Sequence, residues 1–148
     1  MMFTTKGRYA LTLMLDIAFD QEGEPVKIKD IAKRQNISDK YLEQIVSVLH
    51  KAGMLTSIRG PKGGYSLTRS PEEYTVGEIL RLTEGNLALA PCVEEDAQNP
   101  CIRQGQCVNT ILWRKINDAI NGVIDHVTLA DMHQWQTEKI AEQPSQYV

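Results

Sequence analysis

Three cysteines stand close together in the second half of the chain, Cys92, Cys101 and Cys107, in the spacing C-x8-C-x5-C. An odd number leaves one thiol over in any disulfide scheme. The spacing is wider than the C-x2-C pairs of structural zinc sites. Thiolates carried on a flexible segment suit a soft, multi-atom cofactor such as an iron–sulfur cluster. On spacing alone three readings stand side by side: a cluster, a zinc ion, or redox-active thiols without metal.

A second constellation lies in the first half. Arg59-Gly60-Pro61-Lys62-Gly63-Gly64 sets two cations into a thin, glycine-rich turn that a DNA minor groove can receive. Upstream, Ser38-Asp39-Lys40-Tyr41-Leu42-Glu43-Gln44 opens a helix whose first residues suit a major groove. Gln44 can pair bidentately with adenine, and Glu43 can accept from the cytosine amino group. Ser38 and Lys40 suit phosphate, and Tyr41 reaches out by its hydroxyl. Lys6 and Arg8, near the start of the first helix, are further phosphate candidates.

Charge follows the same division. Residues 1–70 hold eleven Lys/Arg against seven Asp/Glu, and residues 71–148 hold five against twelve, within an overall −3. The first half is therefore the one that faces a polyanion.

The elements that would position these residues are mainly helical. Thr4 or Thr5 caps a helix from about Lys6 to Phe19. Ile28–Arg34 and a helix from Ser38 to about Lys51 form a helix-turn-helix across Gln35-Asn36-Ile37. From Met54 the apolar period shortens, so that 55–59 and 65–68 read as two strands of a hairpin around the glycine-rich turn. Helix-turn-helix plus hairpin makes a winged helix. Thr75-Val76-Gly77-Glu78 reads as a capping box for a fourth helix to about Thr83. After the irregular stretch 90–107 comes a long amphipathic helix, Val108 to Ile124, with Ile111, Leu112, Ile116, Ala119, Ile120, Val123 and Ile124 in one stripe. Thr128-Leu129-Ala130-Asp131 opens a last helix to about Ile140. The expected division is a winged-helix DNA-binding domain over 1–83, a cysteine-bearing loop over 84–108, and a dimerisation helix with a C-terminal helix over 109–148.

Lys6-Gly7-Arg8-Tyr9-Ala10, Tyr41-Leu42-Glu43-Gln44, Arg59-Gly60-Pro61-Lys62-Gly63-Gly64-Tyr65, the three cysteines and Leu112-Trp113 together resemble the IscR-type iron–sulfur regulators, over roughly residues 2–135. The resemblance implies a homodimeric transcription factor, mainly a repressor, that reads a palindromic double-stranded operator. It also implies that Cys92, Cys101 and Cys107 bind a cluster that controls DNA binding, with 2Fe–2S favoured and 4Fe–4S open. Three cysteines, rather than one or none, set the chain apart from the cysteine-metabolism regulators of the wider family.

The sequence departs from that pattern in three places. Eight residues, including Glu94, Glu95 and Asp96, separate the first two cysteines where five are usual. The position three after the last cysteine, a histidine in the pattern, is Thr110. The aspartate that nitric-oxide-sensing relatives supply from the partner's first helix is matched by Arg8. The fourth ligand is thus unassigned between a loop carboxylate and Thr110. His50, His126 and His133 read as ordinary surface or packing histidines.

The sequence carries no apolar run long enough to span a membrane and no secretory leader, so the expectation is a cytoplasmic protein. It has no phosphate-cradling loop before a helix, no paired catalytic carboxylates and no nucleophile elbow, so no enzyme is expected. Sensing of iron–sulfur or iron status is the leading reading. Alternatives are a nitric-oxide or redox sensor of the same fold and a metal-free thiol switch.

Overall fold

The computed structural model describes residues 3–20 and 23–142. Six helices and one two-stranded hairpin follow in the order α1 (Thr5–Phe19), α2 (Ile28–Gln35), α3 (Asp39–Lys51), β1 (Leu55–Ile58), β2 (Gly64–Leu67), α4 (Val76–Glu84), α5 (Val108–Ile124) and α6 (Leu129–Glu142). One-turn 3-10 segments at Pro71–Glu73 and Pro91–Val93 precede α4 and begin the cysteine stretch.

The main core forms where the apolar faces of the first three helices meet. Ala10, Leu13, Met14 and Ile17 of α1 pack with Ile31 and Ala32 of α2 and with Leu42, Ile45, Val46 and Leu49 of α3. Ser38 caps α3 by accepting from the Tyr41 N–H at 3.4 Å, as its position before an apolar run requires. Between α2 and α3 the tight break is made by Asn36, whose φ of 54° is the left-handed conformation that asparagine tolerates. Across the outside, the carboxylate of Asp16, almost wholly buried, accepts from Arg34 and Gln35 and ties α1 to α2. Asp20 accepts from Arg34 as well, at 2.8 Å.

The hairpin pairs Leu55 with Leu67 and Ile58 with Gly64, antiparallel. A third segment, which no local sequence signal foretells, joins it. Val26 exchanges both backbone hydrogen bonds with Tyr65, at 2.9 and 2.8 Å, so the segment before α2 flanks β2. Gly64 is what allows this: its φ is 153°, and a Cβ there would overlap the Val26 backbone.

Tyr74 locks the hairpin to α4. Its ring is fully buried, and its hydroxyl donates to the Met54 carbonyl at 2.8 Å while accepting from the Thr68 and Arg69 N–H groups at 3.0 Å each. A single oxygen thus satisfies backbone groups at both ends of the wing. The expected capping box at Thr75 is half made. Thr75 accepts from the Glu78 N–H at 3.2 Å, but the Glu78 carboxylate turns to Arg69 at 2.8 Å instead of back to the cap. One turn earlier, around Pro71, the Glu73 carboxylate accepts from both the N–H and the hydroxyl of Ser70, at 3.0 Å each. The second expected box, at Thr128 and Asp131, is complete and starts α6.

A smaller core of Val76, Leu80 and Ile124 joins α4 to α5, and Leu129 of α6 is buried in the main core. Arg81 clamps the pair by donating to Asn121 and to Asp125. The first half of α5 has no such cover. Val108, Ile111 and Leu112 are 75, 60 and 49% exposed, and Val123 near its end is 60% exposed. The stripe read from the sequence is therefore split: Ile124 faces the α4 core and much of the remainder is open.

Candidate DNA-reading surface and cysteine loop

The DNA-reading candidates come from three elements held together by the core just described. Ser38, Lys40, Glu43 and Gln44 are exposed on the first turns of α3, and Tyr41 is half-buried. Tyr41 meets Tyr9 edge-on, with ring centroids 5.8 Å apart. That contact sets the first turns of α1, with half-buried Lys6 and exposed Arg8, beside the first turn of α3. The Arg8 guanidinium donates to the Thr5 hydroxyl at 3.3 Å. Arg59, Gly60 and Lys62 are exposed at the hairpin tip, and among the described residues neither cation is paired with a carboxylate. Gly63 N–H closes the turn on the Gly60 carbonyl at 2.9 Å, which presents the tip as a tight loop.

Behind the wing, the Arg69 guanidinium lies 4.3 Å over the Tyr74 ring and donates to Glu78. That hydrogen bond, more than any other contact, holds Arg69 above its already high ordinary pKa. Arg69 is thus committed to structure, whereas Arg59 and Lys62 remain available to a polyanion.

The cysteine loop is built differently. Cys92 lies in the 3-10 turn at Pro91–Val93 and is half-buried, Cys101 is exposed, and Cys107 is the N-cap residue of α5 and half-buried. None is in a disulfide. The Gln104 amide donates to the Cys92 carbonyl at 3.0 Å, so the turn between the last two cysteines is tied to the first. The thiols share one loop, but not one coordination sphere: among the described residues no three His, Cys, Asp or Glu side chains stand together as a metal site. In donor chemistry the segment fits a soft cofactor, with three uncommitted thiols and one of them at the positive end of a 17-residue helix.

The fourth-ligand candidates are placed apart. Thr110 is only 5% exposed, one turn beyond Cys107 on the same side of α5. Glu94, Glu95 and Asp96 instead line a cavity of about 550 Å3 between α4 and α5, together with Arg81, Asn121 and Asp125. Of the histidines, His126, in the turn just after α5, bonds the Gly122 carbonyl of that helix, His50 meets Tyr65 edge-on and His133 stacks on Phe19. These contacts are with packing or backbone neighbours. Two contacts central to the site have no signature in the sequence: the Tyr74 hydroxyl, and the Glu84 carboxylate at the start of α1.

A helix-turn-helix with an attached hairpin and a free cationic tip defines a winged-helix transcriptional regulator. The chain belongs to the Rrf2 family, described as an iron-dependent transcriptional regulator, whose profile matches residues 3–134. It is 38% identical over 132 residues to the HTH-type transcriptional regulator IscR of Escherichia coli O1:K1 / APEC, across 89% of this chain and 80% of that one. Among solved structures, T. potens IscR superposes with a TM-score of 0.76 at 37% identity, covering 94% of this chain and 90% of that one. CymR (YrzC), the global cysteine regulator of B. subtilis, gives 0.75 at 40% identity, covering 91 and 98%. The chain is accordingly an IscR-like DNA-binding transcriptional regulator, and these relatives are regulators, not enzymes. No described helix is long and apolar enough to cross a membrane.

Proposed function

We propose that this chain is a cytoplasmic homodimeric repressor that senses iron–sulfur or iron status, its grip on a double-stranded operator being set by an iron–sulfur cluster held by Cys92, Cys101 and Cys107. One observation carries this: three uncommitted thiols sit on a single irregular loop between α4, which supports the wing, and α5, which is open to a partner. When bound, the cluster supplies a threefold anchor and a local charge to a loop otherwise held by few hydrogen bonds; 2Fe–2S is the favoured form.

The protein's own residues do the rest. Gln44 and Glu43 read base edges in the major groove, with Tyr41 beside them, and Ser38, Lys40, Lys6 and Arg8 hold phosphates. Arg59 and Lys62, on the turn that Gly60 opens, enter the minor groove. Val108, Ile111, Leu112 and Val123 of α5 meet a second copy, so that two winged-helix units (residues 1–83) flank a dimerising pair of α5–α6 regions (109–148), with the cysteine loop (84–108) between. An ordered loop shifts DNA affinity only by stabilising one placement of the two reading heads over another.

Protein purified without oxygen should show visible charge-transfer absorption with matching iron and sulfide. A colourless protein that stays colourless after anaerobic reconstitution overturns the cluster.

A second reading has its own support. CymR structures are as similar as IscR structures, and one, from Staphylococcus aureus, is of an oxidized form, with a TM-score of 0.71 at 38% identity. On this reading the three separate thiols respond to oxidation directly. A colourless protein whose DNA affinity follows thiol oxidation would decide for it. Titration with nitric oxide against DNA affinity separates a third reading, a nitric-oxide sensor.

A further inference from the structure

The cysteine loop leaves α4 immediately after Glu84, at Gly85. The half-buried Glu84 side chain turns to the start of α1 there. Its Oε1 accepts from the Thr4 N–H at 2.8 Å, from the Thr4 hydroxyl at 2.8 Å and from the Gly7 N–H at 3.1 Å. These donors belong to the N-cap and first turn of α1, where a helix leaves its N–H groups unpartnered and carries partial positive charge. Thr4 makes no cap of its own, so this turn is capped from 80 residues away.

Gly7 is part of the arrangement. It is buried, and a Cβ at that position would overlap the Glu84 carboxylate. The glycine of Lys6-Gly7-Arg8 is therefore accounted for by the close approach of Glu84, and the two cations on either side of it take their places from that contact. The same helix α4 is pinned to the wing by Glu78–Arg69 and to α5 by Arg81–Asp125. Among its polar contacts in the described residues, that of Glu84 stands where the loop departs and reaches the first turn of α1.

We propose that Glu84 is a positioning residue for DNA binding: its carboxylate fastens the first turn of α1, and with it Lys6 and Arg8, to the point where the cysteine loop departs. Loop order then reaches the phosphate-holding turn of α1 through that carboxylate. The coupling part of this inference rests on the cluster reading above; the positioning part does not.

The test uses full-length wild type, Glu84→Gln, Glu84→Ala and Gly7→Ala, on a duplex that the wild type selects from a random pool. Affinity is measured across salt concentrations, anaerobically with the loop loaded and again after iron removal, with thermal unfolding recorded alongside. Glu84→Gln should stay within about twofold of wild type, because its amide oxygen accepts the same bonds. Glu84→Ala and Gly7→Ala should bind several-fold more weakly, with a salt slope shallower by about 0.9 for each phosphate no longer neutralised. Their ratio of loaded to depleted affinity should also fall towards one. Gly7→Ala retains every charge, so its agreement with Glu84→Ala would assign the effect to the displaced carboxylate. A lowered unfolding midpoint with wild-type slope and ratio would make Glu84 a structural cap alone and overturn the proposal. If wild type itself binds equally well loaded and depleted, the cluster reading fails; the slope still decides Glu84, a shallower one supporting it and an unchanged one overturning it.

Discussion

The wing and the cysteine loop carry the two constellations from which the functional reading starts, yet they are held in opposite ways. Residues 55–67 are paired strand to strand, flanked by Val26 and anchored at their base by the Tyr74 hydroxyl. Residues 90–107 have a single 3-10 turn, a few turn hydrogen bonds and the Gln104–Cys92 tie. On the proposed reading, the wing is a preformed reader, whose cations await a ligand that is always the same polyanion. On the same reading, the loop is a segment whose order is left to what its thiols meet. A sensor needs that division, since only an element with small intrinsic stability can be biased by an effector of modest binding energy.

Breaking the loop should have the largest effect. Cys92→Ala is expected to abolish the visible absorption of anaerobically purified protein while leaving the unfolding midpoint of the winged helix near wild type. An unchanged spectrum would remove Cys92 from the ligand set. Breaking the wing at its base comes next. Tyr74→Phe leaves the Met54 carbonyl and the Thr68 and Arg69 N–H groups short of a partner, and should cost about 1–3 kcal/mol in denaturant unfolding without changing the spectrum.

Arg59→Ala sharpens the comparison from the other side. It should weaken DNA binding by about 1–3 kcal/mol if the guanidinium reads a base edge, with stability unaltered because Arg59 makes no ion pair among the described residues. The smallest effect is expected at Glu73. Hydrogen bonds from the backbone and then the hydroxyl of Ser70 hold its carboxyl below the ordinary 4.5. A depressed folded-state pKa contributes stability that is present above about 4.5 and is lost as pH falls through the folded value. Glu73→Gln should therefore lower the midpoint slightly at neutral pH and converge with wild type in acid, as unfolding curves at pH 7 and pH 3 would show.

The winged helix was legible because its signals are local. Ser38 before an apolar run, the shift of period at Met54 and the glycine-rich turn each act within a few residues, and α3, the hairpin and α5 lie where those signals put them. What escaped was long-range and polar. Nothing near Tyr74 announces that its hydroxyl will serve Met54, and nothing near Glu84 points to Thr4 and Gly7. Glu78 shows the limit of a motif: the box residues were right, but Arg69 offered its carboxylate a charged partner in place of a neutral backbone N–H. At the cysteines the residue types were legible and the coordination geometry was not, since a loop without regular hydrogen bonding leaves thiol positions undetermined by spacing.

The decisive measurement is DNA affinity of one anaerobic preparation before and after its iron is removed by chelation, on a duplex selected by the loaded protein. Control of the wing by the loop predicts a change of roughly 5- to 150-fold, the usual range of coupling between sites, and a Cys92→Ala protein that matches the depleted state. Equal affinities in the two states, with the loaded state verified by its absorption, would contradict that control.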